Sequence, residues 1–453
     1  MYDVVIVGGG PGGYAAALYA HHFGLSVALV EKDKVGGTCL HRGCIPAKSW
    51  LQSAEVFTTV RDAKDFGVMV DGAGFDWGTA LARKGRVVDQ LHKGLSGLLK
   101  QRKVEIISGT GRLDGARKVI VEGHGELEAE HVIVATGSVP RTIPGYDFDG
   151  ERIVSSDHAL DWAEQPKRVG IIGAGAIGCE FASLLIDLGS EVHLFEVMDQ
   201  VVPGTDPDAA QVLEKALAKR GVQVRTGVEV GEPQVGERSV TIPVGGESVE
   251  IDTVLVAVGR APLTEKVGLE TTKVEVERGF IKTDLTTMET AEPGVYAVGD
   301  VVAGTPQLAH AGFAEGIAAI THLASGETAP VNYRAVPLVV YTHPEMAGVG
   351  LTEAQAKEQG YEVTTTSHKL TGASRAIIIG QAEGQVKVVA EKEGPILGAF
   401  VVGPWAGELI HELMYAVGWE ALPAEAAAFI HAHPTLSEAV GETLLSASGR
   451  SLH

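Results

Sequence analysis

The order of apolar and polar positions predicts the same supersecondary unit twice. Near the start, a β-branched apolar run at residues 4–7 precedes a glycine-rich turn, a helical stretch over about 11–23 and a second apolar run at 26–30. The same succession returns in the segment RVGIIGAGAIGCEFASLLIDLGSEVHLFE. Short β-branched runs that alternate with helical patterns indicate parallel sheets crossed by helices. We therefore expect an α/β fold with two Rossmann-like dinucleotide-binding domains.

The turn between the first strand and the helix of each unit has the spacing G-x-G-x-x-G. The first glycine of such a loop permits a tight turn, the second lets the backbone approach a pyrophosphate, and the third lets the helix pack on the strand. An acid at the end of the next strand accepts hydrogen bonds from a ribose. The distance from the first glycine to the acid is 23 residues in both units. If the two loops were ordinary glycine turns without a ligand, this agreement would be a coincidence. The residues are Gly8, Gly10, Gly13 and Glu31 in the first unit, and Gly173, Gly175, Gly178 and Glu196 in the second.

The residues after Glu196 favour NAD over NADP. They read Val-Met-Asp-Gln, and the next basic residue is Lys215. A site for a 2′-phosphate would present arginine or lysine here, whereas a carboxylate repels that phosphate. We therefore expect the second unit to bind NAD.

Three later apolar strands end in residues suited to a ligand. HVIVATG ends at Thr136 and Gly137, TVLVAVG ends at Gly259, and GVYAVGD ends at Asp300. The Asp300 carboxylate suits the polyol of a ligand, and its alternative is an ordinary aspartate in a turn after a strand. The interval from Glu31 to Gly137 in the first unit is longer than the interval from Glu196 to Gly259 in the second. The longer interval contains a cysteine pair.

Composition restricts the class of protein. The chain has 453 residues, enough for about three domains. Its formal net charge of −21 argues against nucleic acid as a partner. No apolar run approaches the length of a membrane span, and the first strand begins so early that we expect no signal peptide. With three cysteines the chain is no disulfide-stabilised secreted scaffold, so we expect a cytoplasmic enzyme.

The cysteine pair lies shortly after Glu31, in the segment GGTCLHRGCIPAK. Cys39 and Cys44 are followed by Pro46, which suits the first turn of a helix. Cys44 would then lie at a helix N-terminus, where partial positive charge favours the thiolate. A redox disulfide, two inert thiols and a metal site all remain open, although His41 does not give the usual ligand spacing.

The C-terminal third is acidic and contains a second candidate group. From Val336 onward there are 13 glutamates, no aspartate and six lysines or arginines. The run HAHPTLSEA places His433 five residues before Glu438. A histidine–glutamate dyad would make His433 a better base. The alternatives are a metal pair formed with His431 and two surface histidines.

The motifs resemble those of the pyridine nucleotide–disulfide oxidoreductases over essentially the whole chain. The shared segments are, in order, GGGPGG, GGTCLHRGCIPAK, VATGSVPR, GAGAIGCE, VGRAP, GVYAVGD, LAHAGFAEG, YTHPEMAGVG and HAHPTLSEA. The likeness is greatest to the members that oxidise protein-bound dihydrolipoamide with NAD. One departure is that His41 and Arg42 stand where Asn-Val is often found.

The resemblance implies roles for the residues around the cysteines. Cys39 would be the interchange thiol that exchanges with the substrate, and Cys44 the charge-transfer thiolate beside a flavin. Lys48 would lie near the flavin N5, paired with Glu180.

Further roles follow from the same resemblance. Asp300 would hold the flavin ribityl chain, and Ala309 and His310 would start a helix facing the flavin pyrimidine. His433, oriented by Glu438, would act as the base on the thiols of the other subunit.

The resemblance also implies cofactors, partners and a domain plan. The cofactors would be FAD and NAD, and the chain would form a homodimer. The lipoyl and peripheral subunit-binding domains of a 2-oxo acid dehydrogenase acyltransferase would be its partners. The expected parts are an FAD-binding domain (1–141), an NAD-binding domain (142–260), a central segment completing the FAD site (261–331) and an α+β dimerisation domain (332–453).

Three rival interpretations are less well supported by the residues. Glutathione-type reductases use NADPH, and the basic residues that a 2′-phosphate needs are missing after Glu196. Mercuric reductases need a C-terminal cysteine pair, and no cysteine follows Cys179. A catalytically silent paralogue predicts lost cysteines or a lost dyad, and both are present.

Overall fold

Backbone contacts divide the chain into two units in the computed structural model, which describes residues 1–452. Each unit is discontinuous in sequence, because the chain leaves and re-enters it. The first unit comprises 1–49, 79–141 and 260–333, and the second comprises 50–78, 142–259 and the chain from Arg334 onward.

The helices vary from single turns to the 25 residues of the longest one. In chain order they are α1 Pro11–Tyr19, α2 Gly37–Arg42, α3 Cys44–Arg61, α4 Trp77–Gln101, α5 Ser156–Ala159, α6 Ala176–Asp187, α7 Pro207–Lys219, α8 Ala309–Ser325, α9 Glu353–Glu358, α10 Ser374–Ile378, α11 Ala406–Gly418, α12 Pro423–Ala426 and α13 Ser437–Ala447, with short 3₁₀ turns at Ala20–Phe23, Ala63–Phe66, Leu269–Thr271, Tyr333–Ala335 and Leu370–Gly372.

The strands are mostly short. In chain order they are β1 Tyr2–Val7, β2 Val27–Glu31, β3 Glu105–Ser108, β4 Gly111–Leu113, β5 Lys118–Val121, β6 Gly125–Val134, β7 Ser138–Pro140, β8 Ile153–Val154, β9 Arg168–Ile172, β10 Glu191–Phe195, β11 Gln223–Arg225, β12 Gln234–Val235, β13 Val240–Val244, β14 Glu247–Ile251, β15 Thr253–Val256, β16 Arg260–Pro262, β17 Val276–Glu277, β18 Phe280–Ile281, β19 Val295–Ala297, β20 Leu338–Val340, β21 Glu345–Gly350, β22 Val363–Lys369, β23 Gln385–Glu391 and β24 Ile396–Gly403.

The first unit contains a parallel sheet in the order β3-β2-β1-β6-β19, and β5 and β4 continue it in antiparallel fashion. Its central strand β1 is apolar from Val4 to Val7, and those four residues are buried. Strands covered on both faces require such continuous apolar runs. Helices α1 and α8 pack so closely together that a Cβ on Gly316 would collide with the Gly12 carbonyl oxygen.

The second unit repeats this topology with the parallel order β11-β10-β9-β15-β8. Here β9 corresponds to β1, β10 to β2 and β15 to β6. Ligands of such sheets bind beyond the carboxyl ends of the strands, where the strand order reverses. In both units this point lies between the first strand and its non-sequential neighbour.

The C-terminal region of the second unit is an antiparallel sheet in the order β20-β21-β24-β23-β22. Helices α11 and α13 pack against it, and α7 also contacts β24. All eight residues of β24 are therefore buried. The predicted fold class, with two dinucleotide-binding units and a C-terminal α+β region, is confirmed.

Candidate active site

The first glycine loop joins β1 to α1 and has the tight geometry that its spacing predicts. Gly8 has a φ of +110°, and a Cβ on Gly13 would overlap the Gly8 carbonyl oxygen. Helix α1 begins directly after Gly10, with a proline in its first turn. Its first N–H groups are therefore available to an anion, as the pyrophosphate of a dinucleotide requires.

The second glycine loop, between β9 and α6, repeats these constraints residue by residue. Gly173 has a φ of +97°, and a Cβ on Gly178 would overlap the Gly173 carbonyl oxygen. Gly175 immediately precedes α6, and a Cβ placed there would meet nothing within 4 Å. The space over this helix N-terminus is open, as the approach of a pyrophosphate needs.

The two predicted ribose acids are already tied to the backbone of their loops. Glu31 accepts the N–H of Gly9 at 2.7 Å through one oxygen and that of Asp33 at 2.8 Å through the other. Each carboxylate has about four lone-pair positions, so capacity for ribose hydroxyls remains.

The second acid repeats this pattern. Glu196 accepts the N–H of Ala174 at 2.7 Å and that of Met198 at 2.9 Å. The acids therefore shape the loops that would receive the two dinucleotides.

The segments that follow β6 and β15 lie beside the glycine loops, as the sequence predicts. Gly137 and Gly259 each follow their strand by three residues and have positive φ values of +74° and +102°. Thr136 donates its hydroxyl to the Leu263 carbonyl at 2.5 Å. These segments flank the carboxyl ends of β1 and β9, since β1 pairs with β6 and β9 with β15.

Asp300 lies in the turn after β19 and is held by a partly buried network that sequence reasoning missed. Ser138 donates its hydroxyl to the Asp300 carboxylate, and Arg260 Nε donates to the Ser138 hydroxyl at 2.7 Å. The N–H of Gly299 donates to Glu315 at 2.6 Å. Burial raises the pKa of Glu315, against the hydrogen bonds that it accepts. Arg260 belongs to the motif VGRAP and Glu315 to the motif LAHAGFAEG. These motifs were the only sequence feature that could have indicated a role for the two residues.

Helix α8 begins at Ala309, with His310 as its second residue. Gly312 on this helix lies close to Gly12 on α1 and to Gly299. The N-terminus of α8 thus lies beside the first glycine loop and the Asp300 turn, within one unit.

The cysteine pair spans two helices that meet at Gly43. Cys39 lies in α2 and is half-buried, while Cys44 is the first residue of α3 and is exposed. The side chains of Cys39 and Cys44 are hydrogen-bonded to each other. This bond, burial and the negative charge of Cys44 raise the pKa of Cys39, and Lys48 opposes the shift. These influences favour the protonated form of Cys39 in the reduced pair.

Tyr14 on α1 is a residue near the cysteines that the sequence did not single out. Burial and the negative charges of Cys39 and Cys44 raise its pKa to about 12. Its ring lies 5.5 Å from that of Phe313 on α8. It is a neutral hydroxyl close to the sulfur pair.

The histidine–glutamate dyad is formed in the C-terminal region. His433 Nδ1 lies 2.8 Å from one oxygen of Glu438, and the other oxygen accepts the N–H of Thr435 at 2.8 Å. A carboxylate accepts, so Nδ1 carries a hydrogen, and in the neutral ring Nε2 is then the nitrogen with the lone pair. The His433 side chain is 71% exposed. The dyad is thus formed with its histidine exposed, as the predicted role of a base requires.

The predicted site residues fall into two groups. The first unit contains the cysteines, Lys48, Asp300 and the first glycine loop, and the second contains Glu180, the dyad and the second glycine loop. Glu180 is buried and accepts the N–H of Tyr341 at 3.0 Å. The pairing of Lys48 with Glu180 stays a prediction.

The third cysteine belongs to the core. Cys179 is fully buried on α6 and donates its thiol to the Ala174 carbonyl at 3.2 Å. Burial raises its pKa, which leaves an unreactive thiol.

Two further observations concern the residues that the structure describes. Among residues 1–452, no three histidine, cysteine, aspartate or glutamate side chains are grouped in a way that could hold a metal ion. None of the helices in that range is both long enough and apolar enough to cross a membrane.

Comparison with known families supplies the decisive likeness. Residues 2–316 match the pyridine nucleotide-disulphide oxidoreductases, and residues 336–444 match the dimerisation domain of that family. The chain belongs to this family. The resemblance drawn from the motifs is therefore confirmed, and the chain is an oxidoreductase.

Individual members of the family align over nearly their whole length. A dihydrolipoyl dehydrogenase of Bacillus subtilis is 40% identical over 471 residues, which cover 100% of this chain and 99% of the relative. One of Thermus scotoductus is 42% identical over 461 residues, covering 100% and 98%. The crystal structure of LpdA from Mycobacterium tuberculosis superposes with a TM-score of 0.91 at 29% identity, covering 98% of this chain and 99% of that one.

Proposed function

We propose that the chain oxidises protein-bound dihydrolipoamide to lipoamide, with FAD and NAD as cofactors. The observation that carries the proposal is the hydrogen-bonded Cys39–Cys44 pair at the start of α3. It occurs in a chain that aligns from end to end with dihydrolipoyl dehydrogenases.

The residues present fit two dinucleotides. The Gly8–Gly13 loop, Glu31, Lys48, Asp300 and the start of α8 would hold FAD, and the Gly173–Gly178 loop with Glu196 would hold NAD. The open space at Gly175 supports this assignment, because only a residue without a side chain leaves room for a pyrophosphate there. FAD, when bound, takes two electrons from the dithiol and supplies them to NAD.

The first task of the protein is to remove a proton from a substrate thiol. His433 Nε2 would accept that proton, since Nδ1 is already engaged with Glu438. The imidazolium so formed is stabilised by the Glu438 carboxylate. General acid–base catalysis of this kind contributes about 10²–10⁴ in rate.

Thiol–disulfide exchange follows at Cys39. The substrate thiolate attacks the Cys39 sulfur of the Cys39–Cys44 disulfide, and the bond between the two cysteines breaks with Cys44 leaving as thiolate. The second substrate thiol then attacks the first substrate sulfur of the mixed disulfide, and the bond between that sulfur and Cys39 breaks. Lipoamide is released, and Cys39 leaves with the electron pair and takes up the proton that the second thiol gives up. The raised pKa of Cys39 supports this outcome, in which Cys39 ends as the thiol and Cys44 as the thiolate.

The helix that begins at Cys44 favours this distribution of charge. Cys44 lies at the N-terminus of α3, an 18-residue helix whose dipole stabilises an anion there. Cys39 lies within the six-residue α2 and is more buried. The leaving group is therefore the sulfur better able to carry charge.

We propose that a homodimer completes the site, with His433 and Glu438 serving the cysteines of the other subunit. The exposed His433 side chain and the match to a dimerisation domain support this arrangement. The domain plan stays as proposed from sequence: FAD binding by 1–141, NAD binding by 142–260, completion of the FAD site by 261–331 and dimerisation by 332–453.

The proposed partners are the lipoyl and peripheral subunit-binding domains of a 2-oxo acid dehydrogenase acyltransferase in the cytoplasm. The excess of glutamate after Val336 suits a basic partner surface. Dihydrolipoamide attached to a mobile lipoyl domain would reach the cysteines from outside.

A steady-state assay of the flavin-loaded protein tests the proposal. We expect turnover with dihydrolipoamide and NAD, and little with glutathione disulfide and NADPH. Cys39→Ser should abolish dihydrolipoamide oxidation and leave FAD bound, because the nucleophilic exchange is lost while the glycine loop is intact. Cys179→Ser is the matched control and should retain activity. Turnover by the Cys39→Ser protein, or preference for glutathione disulfide, would contradict the proposal.

A further inference from the structure

The carbonyl of Val35 accepts hydrogen bonds from two histidines. His41 Nε2 lies 3.0 Å from this oxygen and His92 Nδ1 lies 3.1 Å from it. A carbonyl oxygen only accepts, so both nitrogens must carry hydrogen. The oxygen thus fixes the tautomer of both rings, which lie edge to face with centroids 5.1 Å apart.

Val35 lies at the junction between the first ribose acid and the cysteine pair. It is buried, and the next residue, Gly36, has a φ of +112° and immediately precedes α2. The N–H of Gly36 donates to the Gly9 carbonyl at 2.7 Å. One side of this junction is therefore bound to the glycine loop, and the other side is held by the two histidines.

The two histidines reach this carbonyl from different helices. His41 lies in α2, two residues after Cys39, and His92 lies in the middle of α4. Helix α2 is only six residues long and has no side-chain cap at Gly36. Its position therefore depends on contacts such as these, since a single helical turn is not stable by itself.

The surroundings of His41 favour its neutral form. Burial lowers the pKa of His41, and His92 and Lys34 lower it further, against the Val35 hydrogen bond and Asp33.

We propose that His41 and His92 are positioning residues for the cysteine pair: through Val35 they hold α2 in the place that suits the dithiol, and so set the balance between dithiol and disulfide. The inference rests on the proposed redox role of Cys39 and Cys44. Forming the disulfide draws the two sulfurs from hydrogen-bond distance to bond length, and α2 is the short element that must adjust. If one of the two histidine hydrogen bonds to Val35 is lost, α2 is held less firmly in the position that suits the dithiol. The balance should therefore move toward the disulfide.

The experiment measures that balance in the flavin-loaded protein. The protein is equilibrated with buffers of graded reduced and oxidised dithiothreitol, quenched with an alkylating reagent, and the reduced fraction of Cys39 and Cys44 is read by mass spectrometry. His92→Phe and His41→Phe should each shift the equilibrium toward the disulfide by about two- to tenfold, the range of one hydrogen bond.

Conservative variants separate positioning from general damage. The amide nitrogen of His92→Asn replaces Nδ1 and that of His41→Gln replaces Nε2, so both should return to within about twofold of the native balance. His124→Phe, an exposed histidine of the same unit, is the control and should change nothing. Should His92→Phe fail to fold, His41→Phe carries the same expectation on the same carbonyl.

Two failures are distinguishable. If the native pair shows no dithiol–disulfide equilibrium, the proposed function itself is wrong. If the native pair titrates and both phenylalanine variants titrate identically with it, only the positioning role is overturned.

Discussion

Two histidine–carboxylate pairs adjoin each other in the C-terminal loop and differ in exposure. His431 Nε2 lies 3.0 Å from Glu412, whose other oxygen accepts the hydroxyl of Ser437 at 2.6 Å. The His431 side chain is only 16% exposed, against 71% for His433. His431 also packs on Gly441, where a Cβ would meet its ring. The covered pair contacts α13, and the exposed pair is the one that we propose acts on the substrate.

Substitution of His433 should affect rate and leave stability nearly unchanged. We expect His433→Gln to lower kcat for dihydrolipoamide oxidation by about 10²–10⁴, because glutamine cannot take a proton. Its Tm should match that of the native protein, since the ring is mostly in solvent. His411→Gln, on the exposed face of α11, is a matched histidine control. A near-normal rate in His433→Gln would remove this residue from the mechanism.

His431 should contribute stability that depends on pH. The hydrogen bond to Glu412 raises the pKa of His431 above its ordinary 6.5. The folded state thus binds the proton more tightly, so the contribution is full below pH 6.5 and is lost as pH rises through the folded pKa. We expect His431→Gln to lower stability by about 1 kcal/mol at pH 6 and by less at pH 9.

The measurement is the difference in Tm between native protein and variant at the two pH values. Glu412→Gln should give the same pH dependence, because it removes the other member of the pair. A larger loss at pH 9 than at pH 6 would contradict the assignment.

At the scale of elements, the two glycine loops are built by one rule. In each, the third glycine of the motif faces the carbonyl of the first, and the first faces the carbonyl that follows the neighbouring strand, Ala135 or Ala257. The middle glycine is different: Gly175 meets nothing within 4 Å. In the second loop the fold therefore requires Gly173 and Gly178, and we propose that Gly175 leaves room for the ligand.

This difference predicts opposite phenotypes for two alanine substitutions in one loop. Gly178→Ala should destabilise the protein by about 3 kcal/mol or more, because a methyl cannot avoid a backbone carbonyl. Gly175→Ala should fold with a nearly native Tm, since its φ of −69° suits alanine, and should raise KM for NAD by about tenfold or more.

Thermal unfolding and NAD titration of both variants check this prediction. The FAD content should be native in Gly175→Ala, because the first loop is untouched. A native KM in that variant would show that the pyrophosphate does not approach Gly175.

For the whole molecule, the central question is which subunit supplies the base. The cysteines and the dyad belong to separate units of the chain, and residues 336–444 match a dimerisation domain. Symmetric dimers place the same two surfaces against each other twice. If each site contains residues of both subunits, the active species is the dimer and a single chain is inactive.

Mixed dimers test this directly. A heterodimer of Cys39→Ser and His433→Gln subunits, purified through two different tags, should have about half the native activity, because one of its two sites then contains both native residues. Each variant homodimer should be inactive while retaining flavin. An inactive heterodimer would show that cysteines and base come from the same subunit.

Much of the chemistry was predictable because it depends on local spacing. The glycine motifs and Pro46 act within a turn of their own position, so the loops and the start of α3 at Cys44 followed from sequence. Ser138, Arg260 and Glu315 were not predicted as supports of Asp300. Ser138 and Arg260 are far from Asp300 in the sequence, and Glu315 lies on the next helix, α8. The residues beside them in the sequence do not show which groups they contact.

The amino-acid sequence by itself determined the repeated dinucleotide-binding units, the reactive cysteine segment and the family, because backbone sterics and helix dipoles act over a few residues. Only the tertiary structure decided which cysteine is the more buried, which carbonyl two distant histidines share, and which of two neighbouring histidines is covered. Those properties depend on burial and hydrogen-bond partners, and both are set when segments remote in the chain come together.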